Sequence, residues 1–495
     1  MKRFITVSSF FLLLIPINLM AETTRLTLAD AIKLAVEKNL DLQVERYNPA
    51  QQEAEYQKSR GIYDPILTLQ ASYNDTTNYS ASAMASRYWN QTSQFNAGLS
   101  QLIPTGATTT VGLNNSYLNT DQASSSIASY WQSALSVTLN QPLLKNFGRE
   151  ATELTINTAR LGKDSSIEVM NTKLMAMVAR VRDEYYKLYS LNEELGVRKV
   201  SLELARRVLT ETEARVKAGV MPAMEILNAE FGTASREKEL IDAERSVRDQ
   251  IDVLVQLLQL PQGSAVETTE LPSKERYDVS EQAEISKALS NRPELKELKK
   301  KIELYELQAR VSGNRTRPDL LLSASAATNG LATTYPKDME RLSSGNAPAW
   351  GVGLTFTYPL GNKAAENEYR KNRLKFEQEI LQLKNKEELI VNDVRAAVRA
   401  IKSNYKQLDV ADRGRAFAEE RLRAWVRKVE VGLATTKDLL DVENDLATAK
   451  NNQIKAQVAY NNAITQLWKS TGQILERERI QIIALDPDIL YRRLD

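Results

Sequence analysis

The chain has 495 residues, with 65 Lys and Arg against 63 Asp and Glu, and it contains no His and no Cys. Lys2 and Arg3 account for the small positive excess, so no basic surplus is available to neutralise phosphates, and nucleic acid is excluded as a partner. The missing Cys and His exclude thiol chemistry, zinc sites of the usual ligand type, imidazole acid–base catalysis and Ser-His-Asp triads, so no metal, cofactor or enzymatic activity is expected.

Residues 1–21 read as a secretory signal peptide. Lys2 and Arg3 form its positive end, Phe4 to Ile15 its apolar run, and Ala21 its last residue before cleavage. No apolar run of about 18 residues follows, so no membrane-spanning helix is expected. Thr27-Leu28-Ala29-Asp30 is a helix start, and Leu28, Ile32, Ala35 and Val36 follow helical spacing. Pro49 is expected to kink or divide this first helical segment.

Strands come next. Leu67, Leu69, Ala71 and Tyr73 alternate with Thr68, Gln70, Ser72 and Asn74, and Trp131, Leu135, Val137 and Leu139 alternate with Gln132, Ser136, Thr138 and Asn140. Between them, Phe95, Ala97, Leu99 and Ile103 run down to the turn signal Pro104-Thr105-Gly106, and Thr109, Val111, Leu113 and Tyr117 run back. From about Thr152 to Lys217 no proline interrupts a helical run of roughly 66 residues, on the order of 100 Å of helix. A run that long must pack along its length. A return helix over 223–260 follows the turn at Gly219.

A stretch containing Pro, Gly, Ser and Thr from Pro261 to Pro272 is the linker to a second half that repeats the first. The same 23-residue spacing separates Leu42 from Pro65 and Leu295 from Pro318. Val216-Lys217-Ala218-Gly219 leading to Ile226-Leu227-Asn228-Ala229-Glu230 has its counterpart in Val429-Glu430-Val431-Gly432 leading to Leu439-Leu440-Asp441-Val442-Glu443. In the second half Trp350, Val352, Leu354, Phe356 and Tyr358 alternate with Gly351, Gly353, Thr355 and Thr357, ahead of a second unbroken run from about Ala364 to Val431 and a return helix over 437–470. The expected division is a first structural repeat over 22–260 with strands at about 66–141 and a tip near 219, a linker over 261–292, a second repeat over 293–472 with strands at about 319–359 and a tip near 432, and a tail over 473–495.

Strands of about ten residues with one apolar face and Trp or Tyr near their ends fit a transmembrane β-barrel, and equally an amphipathic sheet in a soluble sandwich. The strands are too few to close a barrel alone, since a bacterial barrel needs at least about eight. From Pro65 to Pro142 the first half is 36 residues longer than the matching stretch from Pro318 to Pro359, room for one more hairpin. Six strands, four in the first half and two in the second, are therefore expected; the other reading of the excess is an elaborated loop outside the wall.

The ordered set Leu28-Ala29-Asp30-Ala31 with Asn39 and Leu42, the strand-opening Pro65 and Pro318, Gln141-Pro142-Leu143 with Gly148-Arg149, Asn291-Arg292-Pro293-Glu294-Leu295 and the two glycine-containing tips spans nearly the whole chain. It resembles the TolC family of outer-membrane efflux proteins. The resemblance implies a mainly α fold with a membrane β-barrel segment. It implies a homotrimer whose long antiparallel helices form an α-barrel in the periplasm, and whose strands share one barrel in outer-membrane lipid. A periplasmic adaptor (membrane fusion) protein and an inner-membrane transporter are the implied partners, in drug or metal efflux or in type I secretion. Family members commonly carry two strands per half, so six strands per protomer depart from that pattern. A periplasmic coiled-coil scaffold or adhesin without a pore is the competing reading.

The resemblance also places a functional site. Asp438 and Asp441, spaced i,i+3 on one helical face, match the aspartate pair that lines the periplasmic entrance in family members, and Glu225 holds the place of Asp438 in the first tip. In a trimer they would make acidic rings that attract cations. Ordinary helix-start electrostatics behind Thr435 or Thr436 explain the same acids, and the two roles are compatible. Ala434 and Val429 stand where family members have an arginine tether and a tyrosine, so Arg427, Lys428 or Lys437 are expected to hold the closed state. Ala218-Gly219-Val220-Met221 and Val431-Gly432-Leu433-Ala434 match the adaptor-docking tips, where Gly219 and Gly432 also suit left-handed helix ends.

Overall fold

The computed structural model describes residues 24–79, 87–122, 125–431 and 433–480. The expected signal peptide, Gly432 and most of the 473–495 tail lie outside them. In chain order the elements are β1 (Thr24–Leu26), α1 (Leu28–Lys38), α2 (Leu40–Arg60), β2 (Ile66–Tyr79), β3 (Arg87–Leu102), β4 (Thr108–Thr120), β5 (Ser129–Pro142), α3 (Arg149–Thr152), α4 (Leu154–Lys217) and α5 (Met224–Leu258). Then follow β6 (Val266–Thr268), α6 (Glu281–Asn291), α7 (Pro293–Asn314), β7 (Asp319–Ala332), α8 (Tyr335–Ser344), β8 (Pro348–Thr357), α9 (Lys363–Glu430), α10 (Thr436–Ser470) and α11 (Ile474–Arg477). α4 and α9 run 64 and 68 residues without a break. No described helix is long and apolar enough to cross a membrane.

The chain forms two units. The first holds β1, α1, the greater part of α4 and α9, and α5, β6, α6, α10 and α11. β1 and β6 pair in parallel, and the buried Tyr185 of α4 locks them: its hydroxyl donates to the Leu26 carbonyl at 2.9 Å and accepts from the backbone N–H of Thr269 and Glu270 at 3.1 and 3.0 Å. The segment after β6 has no ladder of its own, so α10 side chains supply its hydrogen bonds. Asn461 accepts from the Ser273 N–H and donates to the Ser273 carbonyl, and the Tyr460 hydroxyl accepts from Tyr277 N–H and donates to the Glu275 carbonyl. That explains why α10 buries Gln457, Tyr460 and Asn461. The buried Arg182 pairs with Glu478, donates to Thr465 Oγ1 at 2.9 Å, and lies 4.8 Å from the Trp468 ring, fixing the chain just beyond α10.

The first helical segment is divided at Asn39, not at Pro49, which α2 accommodates within its run. Asn39 is buried with φ −60° and ψ 126°; its Oδ1 accepts from Leu42 N–H and its Nδ2 donates to the Leu257 carbonyl at 2.9 Å. Arg292 ends α6 at φ −61° and ψ 121°, and both α1 and α6 have 11 residues.

The second unit carries the sheet. Its order is β2-β3-β4-β5-β7-β8, all antiparallel, so the hairpin β3–β4 lies within the ladder, with Phe95 opposite both Ala71 and Asn115. Opposed residues share a face. Leu67, Leu99, Val111, Val137, Ala326 and Trp350 form one apolar row across all six strands. Thr68, Gly98, Gly112, Ser136, Ala327 and Ala349 form a row on the other face. The apolar residues are widely exposed, Trp350 at 82% and Leu69 at 73%. From Trp131 to Leu139 the band covers on the order of 20–25 Å for tilted strands.

α8 fills the connection between β7 and β8, within the stretch of about 319–359 where two strands are expected. It packs on β5 and β7, on the apolar face, and buries Asp338 and Leu342. Ser133 and Asn115, polar residues on that face, are sealed beneath it. The Ser133 hydroxyl lies between Asn115 Oδ1 and the Asp338 carboxylate, in hydrogen-bond contact with both. Tyr335 packs edge-on against Trp131 at 4.9 Å, and Trp131 against Tyr117 at 5.0 Å, an aromatic cluster at one end of the band.

Candidate functional site at the hairpin tips

The tips of α4–α5 and α9–α10 lie in the first unit. Gly219 closes α4 with φ +70°; its N–H donates to Val216 and the Val220 N–H to Arg215, the hydrogen bonding of a left-handed helix end. In the second tip the Leu433 N–H donates to the Lys428 carbonyl at 2.8 Å, the same five-residue closure. Val220 and Leu433 project at 74% and 77% exposure, and Ala218 and Val431 are exposed beside them. Met221 and Ala434 are half-buried.

α10 opens with a capping box. Thr435 Oγ1 accepts from Asp438 N–H at 3.2 Å, and Asp438 Oδ2 accepts from Thr435 N–H at 2.9 Å. These hydrogen bonds from the Thr435 backbone and hydroxyl hold the Asp438 carboxyl below the ordinary aspartate range. The cap is therefore complete above that range and is lost only as pH falls through the lowered value. Asp441 is exposed one turn on. Glu225 lies in the first turn of α5, half-buried, with Oε2 buried and without a hydrogen-bond partner among the described residues.

Arg215 of α4 and Arg236 of α5 bind the two hairpins together. Arg215 donates to the Val429 carbonyl at 3.4 Å. Arg236 donates to the Leu440 carbonyl at 3.3 Å and faces the buried Glu443 at 3.6 Å. Lys428 instead lies 3.9 Å from the ring of Trp425 in its own helix. An apolar cluster of Ala205, Val208, Leu439 and Leu440 lies alongside. α5 comes so close to α10 that a Cβ on Gly232 would stand 2.9 Å from Leu440 Cδ1. No group of side chains suited to a metal ion occurs among the described residues.

The model of the family described as outer membrane efflux protein matches residues 31–259 and 285–473. The chain belongs to that family. The pyoverdine export outer membrane protein OpmQ of Pseudomonas putida is 20% identical over 329 residues, 63% of this chain and 67% of that one. Among solved structures, the outer-membrane channel OprN superimposes with a TM-score of 0.67 at 14% identity over 90% of each chain. The open state of the Neisseria gonorrhoeae MtrE channel gives 0.66 at 17% identity, over 92% of this chain and 91% of that one. Campylobacter jejuni CmeC gives 0.64 at 14%, over 94% and 88%. This protein is thus a TolC-like outer-membrane efflux channel with its helical part in the periplasm, and it is not an enzyme.

Proposed function

We propose that three copies form one channel-tunnel, which takes substrate from a periplasmic adaptor and inner-membrane transporter to the cell exterior. The observation that carries this reading is the open sheet. With six strands, its unpaired edges β2 and β8 run in opposite directions, so copies related by rotation can pair edge to edge as an antiparallel ladder. Three copies would close a barrel of eighteen strands. Its apolar band would face outer-membrane lipid. Exposed apolar seams on the helices support lateral association as well: Met224, Leu227 and Phe231 on α5, and Val410 and Phe417 on α9.

In this assembly the chain works as two structural repeats, 22–260 and 293–472, joined by the 261–292 linker, after removal of a signal over 1–21 and with a tail over 473–495. Asp438, Asp441 and Glu225 ring the periplasmic entrance, and the segments 218–221 and 431–434 dock the adaptor. OpmQ, named for pyoverdine export, lends support to an export role.

Outer-membrane fractions are expected to contain heat-modifiable trimers; monomers alone would refute the assembly. Leu433→Arg or Gly432→Arg should abolish crosslinking to the adaptor while trimers persist. Loss of the trimer would instead reduce these residues to helix ends. In single-channel recordings, Asp438→Ala combined with Asp441→Ala should reduce cation selectivity, and an unchanged reversal potential would remove the entrance ring.

A further inference from the structure

We infer that the outer-membrane exit of this channel is wide and carries almost no fixed charge, so that it passes bulky polar solutes without regard to their charge. The inference rests on the trimeric barrel reading and concerns what that barrel admits.

Parity assigns every strand residue to a face. The described strands of the sheet carry three charged side chains, Asp75, Arg87 and Asp319. Asp75 and Arg87 share the parity of Tyr73 and Phe95, which puts them on the apolar side. Only Asp319, the first residue of β7, shares the parity of Ser323 and Ser325 on the other side, opposite Thr357. The rest of that face is uncharged: hydroxyl, amide and glycine groups dominate, as in the row Ile66, Ser100, Thr110, Thr138, Ser325 and Gly351, with Leu102, Leu118, Leu321 and Leu331 nearer the strand ends. Pores select ions by rings of charged side chains, and this face supplies one such ring at most, at its end. The long helices, by contrast, are laced with ion pairs.

Two further features keep the exit wide. Hairpin β3–β4 is part of the ladder, and barrel diameter grows roughly linearly with strand number. Six strands per copy in place of four make the barrel about one and a half times as wide, in the class that leaves an aqueous channel. The connection between β7 and β8 also stays out of the lumen. It folds as α8 onto the lipid-facing side, tied there by the Asp338–Ser133–Asn115 contacts.

The test is planar-bilayer recording of the purified trimer, with neutral polyethylene glycols of graded size added on the barrel side. The largest polymer that lowers conductance should be about one and a half times the diameter of the largest that enters a variant lacking residues 87–120. An equal cutoff in both would overturn the inference. Should the deletion variant fail to insert, Asn96→Lys with Asn114→Lys carries the test. Both residues lie on the lumenal side of β3 and β4, so reversal potential in a salt gradient should move toward anions, and no movement would overturn the inference. Asp319→Asn should leave the wild-type reversal potential where it is; loss of most cation selectivity in that variant would show a charged exit and overturn it too. Absence of any conductance step in the wild-type protein would overturn the channel reading itself, and the inference with it.

Discussion

Arg236→Met should destabilise the paired hairpins by about 3–5 kcal/mol, while Arg236→Met combined with Glu443→Leu should recover most of that loss. The two side chains are 12% and 7% exposed, with Nη2 3.6 Å from Oε2. Burial pushes the Glu443 carboxyl up, while the Ser201 hydroxyl and the Arg236 guanidinium hold it down. Removing the arginine alone leaves a carboxylate in an apolar setting beside Leu439 and Leu440. Removing both leaves none, so the pair serves to orient α5 against α10 more than to stabilise them.

The pH dependence has a definite sign. A carboxyl whose folded pKa lies above its unfolded value favours the fold at low pH and loses that contribution as pH rises through the folded value. The deficit of the single variant should therefore be largest at neutral pH and shrink on acidification, as Glu443 takes up a proton. Denaturant unfolding followed by helical circular dichroism at both pH values measures it. Equal stability of the single and double variants at neutral pH would show that no charge is stranded.

Much of this architecture is legible in the sequence because it rests on local rules. Unbroken helical runs bounded by Gly219 mark α4, strand parity marks the two faces of the sheet, and the length difference between the halves marks β3–β4. Where position depends on distant partners, local rules fail. Pro49 looks like the place where the first helix divides, since a proline removes its N–H and crowds the preceding turn, yet α2 runs through it. The break falls at Asn39, whose amide reaches Leu257, far off in sequence. Arg215 and Arg236 are two charges among many on helix faces, and nothing local distinguishes them from their solvated neighbours. Thr435 and Asp438 announce their cap, because the partners stand three positions apart in the sequence. α8 left signals too, Pro336 in its first turn and Gly345 at φ +65° after its end, which the surrounding strand alternation obscured.

Gly330→Val should loosen α8 from the sheet, at a cost of about 1–3 kcal/mol for forcing volume into a packed contact. Gly330 pairs with Ser133 in the ladder, and a Cβ there would lie 2.4 Å from the Asp338 carbonyl oxygen and 2.6 Å from its Oδ1. The first of these is backbone and cannot swing aside, so α8 itself must lift. Once lifted, it uncovers Ser133 and Asn115, which then face lipid without the carboxylate that now meets the serine hydroxyl. It also separates Tyr335 from Trp131. Two readouts follow from this geometry: altered Trp131 emission, and faster tryptic cleavage at Lys337 and Arg341 in intact cells. Ser133→Ala is the milder control, since it removes one hydroxyl and adds no volume. A Gly330→Val protein as resistant to trypsin as the wild type would mean that packing does not hold α8 in place. Where cleavage is faster, the released helix can also reach the exit, and conductance of the Gly330→Val channel should flicker where the wild-type channel is steady.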